Sequence, residues 1–209
     1  MVSVSDGISK RRLFGIDRSG PPPDATLSGH PLHPWTIPNL IGYVRLAGIP
    51  VFLIVALSSD GGHSALAAVL FAVIGWADYL DGFAARLTGQ YSRLGALLDP
   101  IVDRLLVVSG MIVCWRFELL PRWAIVIVVA RELLMLALSR YALARGVELK
   151  INWPGRLGVA PIMGAPFFAM LGIHWLALVM LYVGMALGLL ATVLYVRRGV
   201  GEVRARERQ

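Results

Sequence analysis

Cysteine is almost missing from this chain: Cys114 is the only one, and it sits inside a hydrophobic run. A single thiol makes neither a disulfide framework nor a thiolate metal site, which argues against redox chemistry. Histidine is scarce as well, and His30, His33, His63 and His174 fall in loops or at the ends of apolar runs. Those are positions of solvated imidazoles, not of a zinc centre. Charge is thin, since charged residues make up 16% of the 209 against 57% hydrophobic. Polar outward faces are lacking too, with almost no polar side chain in Ala65 to Gly75 or in Leu176 to Val196. A soluble helical bundle needs such faces, so the chain reads as one membrane domain.

What is present is a set of six apolar stretches, at 37–57, 64–86, 95–115, 121–144, 157–172 and 174–196. Hydrocarbon about 30 Å thick needs roughly 20 helical residues, and only the fifth stretch, which carries Pro161 and Pro166, is short. The fold expected is all-α, an integral membrane bundle of six transmembrane helices over 35–197. An irregular arm over 1–34, holding Lys10, Arg11, Arg12 and the run Pro21, Pro22, Pro23, precedes it, and a basic tail over 198–209 follows.

The formal net charge of +7 is distributed unevenly. Lys and Arg gather in the arm, at Arg86 and Arg93, at Arg140, Arg145, Lys150 and Arg156, and in the tail, whereas the alternate loops hold Arg116 and Arg122. By the positive-inside rule both termini are cytoplasmic. Basic residues that follow one membrane side, without an aromatic stacking platform, argue against nucleic acid as a partner. Trp35, Trp115, Trp123, Trp153 and Trp175 fall near span ends, as interfacial anchors do.

Charge within a bilayer is costly and points to function. Here Asp78 and Asp81 lie in the second stretch, Asp99 and Asp103 in the third. Spacings of three and four put each pair on one helix face. With a rise of about 1.5 Å per residue, Asp81 lies roughly 7 Å before Arg86 and Asp99 roughly 6 Å after Gly95, so all four can meet just inside the cytoplasmic surface. Four carboxylates share a low-dielectric pocket only if cations neutralise them or protons fill them. An all-oxygen set suits a hard cation, Mg2+ or Mn2+. The plain alternative is that these aspartates cap helices or pair with Arg86, Arg93 and Arg104.

The residues read Asp78-Tyr-Leu-Asp81-Gly82-Phe-Ala-Ala85-Arg86, then Gly95, Asp99 and Asp103. This resembles the signature D-x2-D-G-x2-A-R-x8-G-x3-D-x3-D of the CDP-alcohol phosphotransferase family. The resemblance implies a homodimer in the bacterial plasma membrane, with a polar active-site cavity open to the cytoplasm. It implies that Asp78, Asp81 and Asp99 hold one or two divalent ions, with Asp103 completing the acidic metal set and acting as general base. It also implies that CDP-diacylglycerol is the donor, its nucleotide lying against Asp78, Gly82, Ala85, Arg86 and Gly95.

Thr36-Ile37-Pro38-Asn39-Leu40 with Arg45, and Ala130-Arg131-Glu132, resemble the phosphatidylglycerophosphate synthase branch, whose acceptor is glycerol 3-phosphate. Arg131 is expected to line the acceptor pocket with Arg140 and Arg156 at its mouth. As helical neighbours, Arg131 and Glu132 are expected to need separate partners, Asp103 for the first or Arg45 for the second. The branch usually carries Gly-Lys-x-Lys-Thr where this chain has Gly155-Arg156-Leu157-Gly158-Val159. That departure admits a CMP-forming cardiolipin synthase acting on phosphatidylglycerol, or transfer to inositol phosphate. Outside the family, a UbiA-like prenyltransferase lacks the Gly-x2-Ala-Arg segment, and a cation transporter would place its carboxylates near mid-bilayer.

Overall fold

The computed structural model describes residues 31–144 and 153–206; the side chains of 139–156 and of 198 onward lie outside the described residues. The described residues form six α-helices and no strand: α1 (Ile37–Leu57), α2 (Ala65–Thr88), α3 (Arg93–Arg116), α4 (Arg122–Ala144), α5 (Trp153–Met170) and α6 (His174–Arg206). A 3-10 turn at Asp60–Gly62 follows α1. Helices close their backbone hydrogen bonds within one segment, the condition that hydrocarbon imposes.

Among the described residues three helices are long and apolar enough to cross a membrane: α1, α2 and the His174–Arg197 part of α6. The remaining helices fall short for visible reasons. Asp99, Asp103 and Arg104 interrupt α3, Arg131 and Glu132 interrupt α4, and α5 carries Pro161 and Pro166. The sixth helix continues to Arg206, past the end at 196 expected from hydropathy. Val44, Ile54 and Leu66 are each more than half exposed, as are Trp35, Trp123 and Trp175 near helix ends. Apolar side chains spread over the outside in this way suit lipid, not water.

The chain divides into two compact units. The first takes α1 up to Val51, α2 from Ala72 and α3 up to Leu106. Its core combines Ile49, Ile74, Val102 and Leu106 with the buried polar residues Asn39, Arg45, Asp81 and Ser92. The second takes the remainder, and buries Phe52 against Phe71 with ring centroids 5.3 Å apart. There α5 packs along α6. A β-carbon on Gly184 would lie 2.8 Å from the Ile162 side chain and 2.9 Å from its backbone nitrogen, so the two helices approach to backbone contact. The Ser64 amide, just before α2, donates to the Met170 carbonyl at the end of α5 (3.0 Å).

Candidate active site

Arg45 is the organising residue of the first unit. It projects from α1 with its side chain 1% exposed, and its Nε donates to the Ile74 carbonyl of α2 (3.1 Å). From there Nη1 donates to Asp78 Oδ1 (3.0 Å) and to Asp81 Oδ2 (2.9 Å), and Nη2 to Asp103 Oδ1 (2.6 Å). Helical spacing explains the two α2 carboxylates, because residues three apart share a face. Asp103 arrives on α3 after the turn that begins at Gly89, whose φ of 66° is left-handed. Asp99, one turn earlier on α3 and partly buried, takes no part in the Arg45 bonds.

Three of the four predicted aspartates therefore converge on Arg45. The Arg104 Nη1 donates instead to the Pro100 carbonyl one turn back (2.8 Å). Exposure is uneven: the Asp81 side chain is 6% exposed, against 45% for Asp78 and 43% for Asp103. Arg45 thus backs the cluster from the interior while two carboxylates keep an open side.

The start of α3 is tied to the start of α1. Ser92 caps α3, its Oγ accepting from the Gly95 amide (2.9 Å) and donating to Asn39 Oδ1 (2.8 Å). The Asn39 Nδ2 donates to the carbonyls of His33 (2.9 Å) and Pro34 (3.2 Å). The Ile37 amide donates to Gln90 Oε1 (3.1 Å), and the Leu94 amide to the Leu32 carbonyl (3.4 Å). A β-carbon on Gly95 would stand 2.8 Å from Asn39 Oδ1 and 3.1 Å from Ser92 Oγ. Asn39 Oδ1 thus closes against Gly95 on the side that a β-carbon would take. Near Gly82 the neighbour is Arg86, whose Nη1 would lie 3.3 Å from an added β-carbon; Ala85 is partly buried on the same helix.

In the second unit Arg131 and Glu132 form an ion pair with each other, and Arg131 Nε donates to Thr192 Oγ1 on α6 (3.3 Å). This corrects the expectation of separate partners. Adjacent helical positions point about 100° apart, but a guanidinium on its long stem reaches around that angle. The partner foreseen for Glu132, Arg45, is committed to the aspartates, and the partner foreseen for Arg131, Asp103, is held by Arg45. The side chains of Arg140 and Arg156 lie outside the described residues.

The donor set suits a hard divalent cation: four carboxylates, three of them already within reach of one cationic group. Among the described residues no three acidic, histidine or cysteine side chains stand close enough to ligate one ion as they are. The residues fit such an ion by the chemistry of their donors.

Residues 35–194 match the profile of a protein family described as CDP-alcohol phosphatidyltransferase. A Streptomyces coelicolor protein named cardiolipin synthase (CMP-forming) is 36% identical over 172 residues, covering 79% of this chain and 80% of its own. A Mycobacterium tuberculosis protein named probable phosphatidylglycerophosphate synthase is 31% identical over 172 residues, 79% of this chain and 82% of its own. A Bacillus subtilis protein named CDP-diacylglycerol–glycerol-3-phosphate 3-phosphatidyltransferase is 29% identical over 135 residues, 59% of this chain and 70% of its own.

Proposed function

The chain belongs to the CDP-alcohol phosphatidyltransferase family, and from that premise we propose that it moves a phosphatidyl group from CDP-diacylglycerol to the hydroxyl of phosphatidylglycerol, releasing CMP and forming cardiolipin. The observation that carries the transferase reading is the convergence of Asp78, Asp81 and Asp103 at the facing ends of α2 and α3.

Bound at Asp78, Asp81, Asp99 and Asp103, a divalent ion, Mg2+ or Mn2+, would neutralise the diphosphate of the donor and the CMP that leaves. The chain's own residues supply the rest. Arg45 fixes one oxygen of Asp103, which leaves the other to accept the proton of the acceptor hydroxyl. The hydroxyl oxygen then bonds to the phosphorus that carries the diacylglycerol, and the bond from that phosphorus to the bridging oxygen of CMP breaks. Arg86, beside Gly82 on the same helix, would offer its guanidinium fork to a phosphate of the donor.

Two observations favour phosphatidylglycerol over glycerol 3-phosphate. Over spans of equal length the chain is more similar to the cardiolipin synthase, at 36%, than to the phosphatidylglycerophosphate synthase, at 31%. Arg131, the cation foreseen for a phosphomonoester, is neutralised by Glu132, which suits a less charged phosphodiester. Glycerol 3-phosphate stands as the second reading, supported by the Ala130-Arg131-Glu132 segment and by the two relatives named for that activity. Loop charges support cytoplasmic termini and an active-site cavity open to the cytoplasm, and the family resemblance supports a homodimer.

The test is release of CMP by the purified protein from CDP-diacylglycerol and Mg2+, with phosphatidylglycerol and glycerol 3-phosphate offered in separate reactions. Turnover with phosphatidylglycerol alone is expected. Turnover with glycerol 3-phosphate alone would establish the second reading and show that Arg156 suffices without the usual lysines.

A further inference from the structure

A buried arginine is costly unless its charge is balanced and its donors are occupied. Arg45 meets both conditions in an unusual way. It is the only cation in bonding contact with three carboxylates among the described ion pairs, and its Nε is moored to the Ile74 carbonyl. The mooring and the 1% exposure hold the guanidinium in place, whereas Asp78 and Asp103 are nearly half exposed on their other side.

Carboxylates gathered in a poorly solvated site repel one another strongly. Left alone they would spread apart or take up protons, and an arriving cation would have to gather them again. A guanidinium suits the task of keeping them together because it is charged at every physiological pH. Its planar fork also directs separate N–H groups to separate oxygens. Here Nη1 serves the two α2 carboxylates and Nη2 serves the α3 carboxylate, so one side chain spans the helix pair that carries the signature.

We infer that Arg45 is a positioning residue that stands in for the divalent cation: it holds Asp78, Asp81 and Asp103 converged before the ion binds, and stays behind them as a fixed positive charge when the ion enters from the exposed side. The inference rests on the reading of these aspartates as the metal site.

Thermal melting of the detergent-purified full chain, in EDTA and in saturating Mn2+, tests it, with Mn2+ binding followed by electron paramagnetic resonance. Arg45→Met is expected to lower the Tm in EDTA by on the order of 10 °C, and Mn2+ is expected to restore most of the loss. Adding Asp81→Asn removes one of the repelling charges and is expected to recover part of the Tm in EDTA without any metal. A variant that melts like the wild type in EDTA would overturn the inference. So would an equal loss with and without Mn2+ that Asp81→Asn does not relieve, since that is the behaviour of a packing residue. If Arg45→Met does not fold, Arg45→Lys replaces it: a single ammonium keeps the charge but not the fork. Its smaller loss should again shrink in Mn2+, and a loss indifferent to Mn2+ overturns the inference. A wild-type protein that binds no Mn2+ would instead remove the metal reading, a failure visible before any variant is made.

Discussion

Asn39 Oδ1 occupies the space that a β-carbon on residue 95 would need, 2.8 Å from its ideal position. The conflict involves an amide that is itself held by Ser92 and by two backbone carbonyls, so it has little freedom to retreat. Gly95→Ala is therefore expected to cost about 1–3 kcal/mol, and to lower activity as the start of α3 shifts beneath Asp99. Gly42→Ala, with nothing within 4 Å, is the matched control and should be neutral or slightly stabilising. Thermal melting of the two variants in detergent gives the comparison.

Asp103→Asn separates a proton acceptor from a hydrogen-bond acceptor. The amide oxygen can still receive the Arg45 Nη2 hydrogen bond now made at 2.6 Å, so the network should survive, while the side chain can no longer take a proton. A fall in kcat of about 10²–10⁴ is expected, with CDP-diacylglycerol binding retained. Steady-state CMP release and a donor-binding assay check this together; full activity with donor bound would remove Asp103 as the base.

Removing divalent metal should abolish transfer and its return should restore it. The expectation follows from a donor set made only of carboxylate oxygens. Dialysis against EDTA followed by titration with Mg2+, Mn2+ and Zn2+ measures it. Recovery with the first two and not with zinc is expected; unchanged turnover in EDTA would contradict it.

On α6, Gly184 and Gly188 are one turn apart and differ in what faces them. A β-carbon at 184 would meet the Ile162 backbone nitrogen at 2.9 Å, whereas one at 188 would meet the Arg131 side chain at 3.5 Å, an ordinary contact. Gly184→Ala should cost about 1–3 kcal/mol and Gly188→Ala much less. Equal melting temperatures for the two variants would argue that α5 can move away from α6 at little cost.

The helices were legible because apolar runs and basic loops leave their mark residue by residue. The α1 bounds expected from hydropathy, 37 to 57, coincide with the helix itself. The acidic face was legible because Asp78 and Asp81, and Asp99 and Asp103, are related by local helical spacing. The partner was not. Arg45 is 33 residues from Asp78 and 58 from Asp103, and spacing within one helix carries no information about which distant side chain will face it. Its burial beside a motif of unpaired carboxylates was the available signal, since a lone arginine within an apolar helix needs an acidic partner. Arg131 and Glu132 misled for the opposite reason: adjacency suggested divergence, and side-chain length overcame it.

The bonds made by Asn39 also determine where the chain can be shortened. Its amide takes both of its acceptors from His33 and Pro34, and the turn before α3 is held by Leu32 and Ile37. A truncation ending at residue 30 leaves every one of these bonds intact. One ending at residue 36 deletes three of the four partners and strands a buried amide, so a purification tag is better joined ahead of Pro31 than against the first helix.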